Sequence, residues 1–438
     1  MPVTEPTTAT TPAALPAQGR GRRGGRRVLA GLADQALVAI TSAGTGLLAT
    51  ALLSPAAAGV MLYSVAILFF VQGIGRAFVG DVMLTHVPRF DDAGQRRRQF
   101  ENAHATALAL AVVAMAVLVT VWLVAPARYV GDLIWGVPIV PAVLLQDLCR
   151  YTYQTRGLQA RALVIDVCWV SVQIAGILVL AVTGHATGGT LIASWGAGAA
   201  AGALLFYART RINPLRGRPL RWLRDTRHLL GWFTATGVLG QVTTLGVGTL
   251  VQGILNASAY ASLRLVQTLV LQPAQSFVMA LNGLLVPRAS RFAGTGDIAG
   301  LRRQTRDLLA VNCAIGVVLV VVAATLASPA LHWYRHGAYA GAIPIAVPIA
   351  AQAWAYLMQI PFTVGIRGMQ RGPYLFTQYL IFSVTSLGGL VLGAVRGGLT
   401  GAAWGLLAGA VVGLLVQAYL YLRAVRQLSS RGRSGSPT

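Results

Sequence analysis

The chain has 438 residues, of which 55% are hydrophobic and only 11% charged, and its mean hydropathy is +0.64. Soluble globular domains carry about 25% charged residues, so a water-soluble fold is excluded. The formal charge of +23 would suggest nucleic acid for a soluble protein, but all 35 basic residues are arginine and most sit in the loops and tails between apolar blocks, which argues against nucleic acid as a partner.

Residues 1–27 are rich in Pro, Thr and Ala and then basic, and are expected to form a disordered tail. The apolar blocks that follow are each about 20 residues long, enough to cross a hydrocarbon core of about 30 Å as a helix. The first, 31–53, is too long for a signal-peptide core and puts Asp34, Thr41 and Thr45 on one face. The second, 59–80, ends with Gln72 and Arg76 one turn apart, followed by Asp81. Blocks at 104–125, 133–152, 163–183 and 190–208 complete a six-helix unit over 28–208. The basic stretch 209–228, within "RTRINPLRGRPLRWLRDTR", is expected to link it to a second unit over 229–422.

That second unit opens with 229–252, where Thr234, Gln241 and Gln252 are spaced by seven and eleven residues and share a helical face. In 257–285, Arg264, Gln275 and Asn282 fall within about 20° of one another and Gln267 about 60° to one side, with Pro273 placed to kink the helix. Blocks at 307–328, 342–363, 375–395 and 398–422 follow, then a tail over 423–438. The prediction is an all-α polytopic membrane protein of about twelve transmembrane helices in two halves. Arginines crowd alternate loops, while the opposite loops hold only Arg128, Arg335 and Arg396. The positive-inside rule then puts both termini in the cytoplasm of a cell-membrane protein.

Three short echoes link the halves. "HVPRF" and "RRRQ" recur as "LVPRASRF" and "LRRQ", and "TRGLQ" recurs as "IRGMQ", so that Arg89, Arg98 and Arg156 correspond to Arg288, Arg303 and Arg367. They suggest a parallel six-helix repeat, although helix ends converging on Pro, Arg and Gln would look similar. Transporters commonly place their site between such repeats.

Charge inside a bilayer costs about 2.5–3.5 kcal/mol on insertion scales and generally faces a cavity or a partner. The polar stripes lie on the first helix pair of each half, where they could line one chamber between the halves. Other readings fit the same residues. Arg264 lies roughly 10 Å from its span's outer end, within snorkelling reach of headgroups. Arg76 and Asp81 could form an interfacial salt bridge. The glutamines could simply join helices by hydrogen bonds, and Asp147, Arg150 and Asp166 read as boundary charges. "HWYRH" at 332–336 reads as an aromatic belt.

Cys149, Cys168 and Cys313 have no metal-ligand or disulfide spacing. No Walker A, HExxH or GxSxG motif occurs, "GIGRAFVG" misses the dinucleotide spacing, and the outer loops are too short for an active site. Neither a cofactor nor an enzyme is expected.

The opening "DQALVAITSAGTGLLATALLSPAAAGVMLYSVAILFFVQGIGRAFVGDVMLTHVPRF" and the later "LRLVQTLVLQP" followed by "VPRASR" resemble polysaccharide-biosynthesis membrane proteins of the MOP flippase superfamily. The resemblance implies two six-helix bundles around a central cavity that opens alternately to each side. It also implies cavity arginines that hold the diphosphate of a polyprenyl-linked oligosaccharide, a role falling on Arg264 and Arg76. Gln267, Gln275, Asn282, Gln241, Gln252 and Gln72 would meet sugar hydroxyls, and Asp34 would be the coupling-ion candidate. Lipid II flippases carry an arginine in the first span where this chain has Asp34, which argues against lipid II as cargo. Expected partners are the lipid-linked substrate, anionic lipids drawn to the basic loops, and glycosyltransferases or a polymerase of the same pathway. The competing functions are a cation-coupled drug antiporter and a non-transporting scaffold of a polysaccharide assembly complex.

Overall fold

In hydrocarbon an apolar segment can satisfy its backbone only as a helix or within a closed barrel. The computed structural model describes residues 44, 46–272, 285, 286 and 288–434, with the side chains of 85, 228–233, 236 and 431–434 left aside, and all regular structure among them is helical. Eight of the described helices are long and apolar enough to cross a membrane.

Helix α1 is described over 46–52. Helix α2 starts at Pro55, capped by Ser54, and continues past Gly75 through a π-helical turn at Arg76–Gly80 to Arg89. Next come α3 (Ala93–Val124), α4 (Val140–Thr155), α5 (Gln159–Val182) and α6 (Gly188–Thr210). Helix α7 spans Pro219–Ile254, and α8 spans Ala257–Val266 before its own π-helical turn at Gln267–Leu271. The remaining helices are α9 (Ile298–Trp333), α10 (Ile343–Gly368) and the segment Gly372–Ser434. That segment is broken by non-helical dihedrals at Gly397 and Gly398, and its arms are α11 and α12.

Several boundaries differ from the hydropathy reading for physical reasons. Helices α3 and α9 extend beyond their apolar blocks at the arginine-rich end. Asp92 accepts from the Gln95 N–H at 2.6 Å, and Asp297 accepts from the Gly300 N–H at 2.8 Å. These caps satisfy orphan donors and start each helix early. Half of the expected 209–228 linker is helical and continuous with α7. It is anchored by the fully buried Trp222 and by the Arg218 N–H, which donates to Asn102 Oδ1 at 2.9 Å. The fourth block begins with two short turns, Ala127–Val130 and Leu133–Gly136, so its helix α4 has only 16 residues.

Close packing of small residues joins the helices, as expected where lipid gives no hydrophobic drive. In the α11–α12 hairpin a Cβ on Gly393 would lie 2.0 Å from the Gly401 carbonyl oxygen, and one on Gly405 the same distance from that of Gly389. The seam between the halves is equally tight. Gly59 of α2 lies against the Ala257 carbonyl, Gly73 against the Gln241 side chain, and Gly237 against Ala77. The Tyr63 hydroxyl is 2.8 Å from Thr249 Oγ1, and its ring meets Tyr260 edge-on at 5.9 Å.

At the arginine-poor end, "HWYRH" departs from a simple aromatic belt. Trp333 is 85% exposed, as a belt residue would be. The Tyr334 hydroxyl, however, lies 2.9 Å from Thr50 Oγ1 and donates to the Leu47 carbonyl at 3.1 Å, while Arg335 Nη2 donates to the Leu53 carbonyl at 3.0 Å. The Arg335 bond satisfies the Leu53 carbonyl, which lies just past the end of α1. Arg335 and His336 hold φ of 53° and 51°, a conformation that costs on the order of 1–3 kcal/mol per residue and persists where the surroundings enforce it.

The expected repeat has a structural counterpart: α3 begins at Ala93 and α9 at Ile298, the same separation as Arg98 from Arg303.

Candidate functional site

Asp34, Gln275 and Asn282 lie outside the described residues, as do Thr41 and Thr45. The remaining candidates fall into two groups at different depths.

The outer group sits on α7 and α8. Arg264 is partly exposed, but its Nε is buried with no hydrogen-bond partner among the described residues. The Gln252 amide is 1% exposed, and neither of its polar atoms finds a partner among those residues. Gln267, 8% exposed, opens the π-helical turn of α8, and the next residue, Thr268, faces Gly46 of α1 across 3.5 Å of would-be Cβ contact. An unpaired buried polar atom costs about 1–3 kcal/mol, so Arg264 Nε and the Gln252 amide call for partners that the described residues do not supply.

The inner group is centred on Arg76, the first residue of the π-helical turn in α2. Such turns insert one residue into a helix and frequently occur at functional sites. Arg76 donates through Nε to Asp147 Oδ2 at 2.6 Å and through Nη2 to Oδ1 at 2.9 Å, a two-pronged fork. Arg150 Nη1 lies 3.4 Å from Asp147 Oδ1, and Arg150 Nε pairs with Asp166 Oδ2 at 2.8 Å. Gln146 Nε2 donates to Asp166 Oδ1 at 2.8 Å. The network is therefore Arg76–Asp147–Arg150–Asp166, with side-chain exposures of 38%, 4%, 7% and 0%. Asp147, Arg150 and Asp166 are buried and interlocked instead of lying at a boundary. Arg76 takes Asp147 as its ion-pair partner, while Asp81 lies against the Tyr151 hydroxyl. The i,i+3 spacing of Asp147 and Arg150 was a visible signal, but the pairing with Asp166 and Arg76 requires three helices to be brought together.

Gln72 (buried), Arg76, Asp147 and Tyr151 line a small cavity of about 10 Å³ between α2, α3 and α4. That is room for about one water molecule, so a headgroup would fit only after the helices separate. Gln241 lies across the seam against Gly73, which places it beside Gln72.

The relative depth of the two arginines follows from helix register. Helices α2 and α8 both start at the arginine-poor end, where Gly59 touches Ala257. Arg264 is then level with about residue 66 of α2, and Arg76 lies about 15 Å deeper at 1.5 Å per residue. One cradle cannot hold both.

The second half contrasts with this charged interior. Gln352 Nε2 donates to the Tyr356 hydroxyl at 2.9 Å, Gln378 Nε2 to Gln359 Oε1 at 3.4 Å, Gln417 Nε2 to Thr363 Oγ1, and Asn312 Nδ2 to the Leu357 carbonyl at 2.8 Å. All of these groups are neutral. Sequence reasoning left them unremarked, since single amides in separate spans carry no spacing signal.

No protein-family model matches the chain, and no curated protein matches it in sequence. Solved structures do match in fold. An inward-facing multidrug-resistance MATE family transporter of the MOP superfamily aligns with a TM-score of 0.72 at 12% identity, over 93% of this chain and 100% of that one. The lipid II flippase MurJ in an inward-closed conformation aligns with a TM-score of 0.67 at 11% identity, over 95% and 92%. A MOP superfamily transporter from Pyrococcus furiosus, described by a reversed polarity of its binding pocket, aligns with a TM-score of 0.64 at 11% identity, over 92% and 95%. At these identities the likeness is one of fold. The chain has the fold of MOP superfamily transporters and is a polytopic membrane protein; its neighbours are transporters and flippases.

Proposed function

We propose that the protein is an alternating-access flippase that moves a polyprenyl-diphosphate-linked oligosaccharide, a polysaccharide precursor, from the cytoplasmic to the outer leaflet of the cell membrane. It would do so with twelve spans in two six-helix halves, 28–208 and 229–422, and with the arginine-rich ends in the cytoplasm. Anionic lipids would gather at those ends, and glycosyltransferases or a polymerase of the same pathway would supply or take the cargo.

The observation that carries this reading is the pair of arginines at two depths in a MOP-type fold. A diphosphate must cross about 30 Å of hydrocarbon. Guanidinium groups bind phosphate by charge-assisted, often two-pronged hydrogen bonds. With Arg76 on the cytoplasmic side and Arg264 about 15 Å beyond it, the headgroup would have two successive stations. Gln72 and Gln241 near the first, and Gln252 and Gln267 near the second, would meet sugar hydroxyls, while the polyprenyl tail stays in lipid.

The experiment is leaflet-resolved. Deleting the protein should make polyprenyl-diphosphate-linked sugar accumulate on the cytoplasmic face, and Arg264→Ala should reproduce this with the protein correctly inserted. Arg264→Lys should retain partial activity, because the charge survives without the fork. Unchanged leaflet distribution in the deletion strain would overturn the reading. The fold match to multidrug MATE transporters favours a cation-coupled antiporter as the second reading. Ion-driven dye efflux abolished by Asp34→Asn would establish it instead.

A further inference from the structure

The Arg76 fork is already occupied. Asp147 takes both Nε and Nη2 at 2.6 and 2.9 Å, the geometry with which a guanidinium would grip a phosphate. A substrate anion and Asp147 cannot both hold that edge. We infer that Asp147 is a built-in competitor, a positioning residue that holds Arg76 ready when no substrate is bound, yields the fork to the anionic headgroup, and reclaims it to drive release. This rests on the flippase reading for its cargo, but it makes a claim of its own about which group limits affinity.

The asymmetry of the network is what permits the exchange. Arg76 is its most accessible member, at 38% side-chain exposure, and stands on a π-helical turn beside the cavity lined by Gln72 and Tyr151. Asp147 is 4% exposed, and a buried carboxylate stripped of its only cation would be strongly destabilising. It is not stripped, because Arg150 lies 3.4 Å from Asp147 Oδ1 on the same helix and also holds Asp166. When Arg76 turns to an anion, Arg150 keeps both carboxylates compensated in part.

The compensation is incomplete, and this gives the exchange its direction. Two arginines and two aspartates sum to zero; without Arg76 the buried remainder carries one net negative charge. That excess pulls Arg76 back once the headgroup moves on. A carrier needs a site favourable enough to load and weak enough to empty, and an internal carboxylate supplies the second condition without altering the arginine.

The test uses the purified full-length protein and farnesyl diphosphate as probe, with binding followed by calorimetry. Asp147→Asn should bind at least tenfold more tightly than wild type, because the competing charge is gone while Arg76 remains. Should this variant fail to fold, Asp147→Asn combined with Arg150→Gln and Asp166→Asn leaves Arg76 as the one charge of the network, with no buried ion stranded, and should show the same gain. Arg76→Ala in either background should erase the gain, and flipping by the tight-binding variants should slow despite the higher affinity. Unchanged or weaker binding in whichever of these variants folds would overturn the inference, as would a gain that survives Arg76→Ala. The cargo reading fails separately: an Arg76-dependent gain in diphosphate binding alongside a normal leaflet distribution in the deletion strain would keep the competitor and remove the lipid-linked sugar.

Discussion

Glycine at position 59 is the residue on which the seam between the halves depends. Its hydrogen lies against the Ala257 carbonyl, and a Cβ there would be 2.0 Å from that oxygen, with backbone as the obstacle. Gly59→Ala should therefore prise α2 from α8, at a cost of about 1–3 kcal/mol for overpacking, read as a lower midpoint in a thermal unfolding scan. Gly253, with open space around it, should accept alanine without such a penalty. His104 makes the opposite case. It is fully buried between the Tyr207 hydroxyl at 2.7 Å and Thr152 Oγ1 at 2.9 Å, and it stacks on Phe206. His104→Ala removes both of these bonds and the ring that stacks on Phe206, though the Thr152 hydroxyl keeps the Leu148 carbonyl at 3.0 Å. A lost buried partner and the cavity left behind cost on the order of 1–3 kcal/mol or more, so the variant should lower protein yield and stability with no direct effect on any substrate contact.

Among the elements, the turn after α9 does more than close a loop. Tyr334 and Arg335 tie the second half to the end of α1 through Thr50, Leu47 and Leu53. If the outer face opens by separating the halves, these three bonds must break. Tyr334→Phe removes two of them, and cysteines placed on α1 near Ala49 should then react faster with an impermeant thiol reagent than in wild type. Equal rates would show that the tie has no part in opening. Such a contact joins residues nearly 290 positions apart, and no spacing rule reads it from the chain. The elements themselves were largely legible, because a run of some 20 apolar residues has few alternatives in a bilayer. What hydropathy misplaced were the ends: Asp92, Asp297 and Trp222 extend or anchor helices through polar caps and aromatic burial, which a hydropathy window does not see. The echo of "RRRQ" in "LRRQ" falls at the same distance from the starts of α3 and α9.

At the scale of the whole molecule, charge is divided unequally. The interior of the first half holds Arg76, Asp147, Arg150 and Asp166, while in the second half, Arg264 apart, the buried polar contacts described above join amides, hydroxyls and a carbonyl. Individual polar residues were legible as candidates, but an arginine forked onto a carboxylate and one whose Nε finds no partner among the described residues look alike in a sequence. The partner is decided by which helices meet, and that is why Arg76 and Arg264 turned out to have different chemistry. The two halves should differ in their response to loss of a polar partner. Variants of the paired network, such as Asp166→Asn, should destabilise the protein strongly, since they leave two buried arginine charges to share Asp147 alone, whereas Gln352→Leu should be nearly neutral or mildly stabilising. Comparing unfolding temperatures of the two variants checks this.

Helix α7 has a mechanical consequence. From Pro219 to Ile254 it is a single rod of 36 residues, clasped at one end by the first half through Trp222 and Asn102 and carrying Gln241 and Gln252 along its length. The join between the halves is thus a stiff tiller rather than a slack tether, and any swing of the first half at the arginine-rich surface must sweep those two amides across the path.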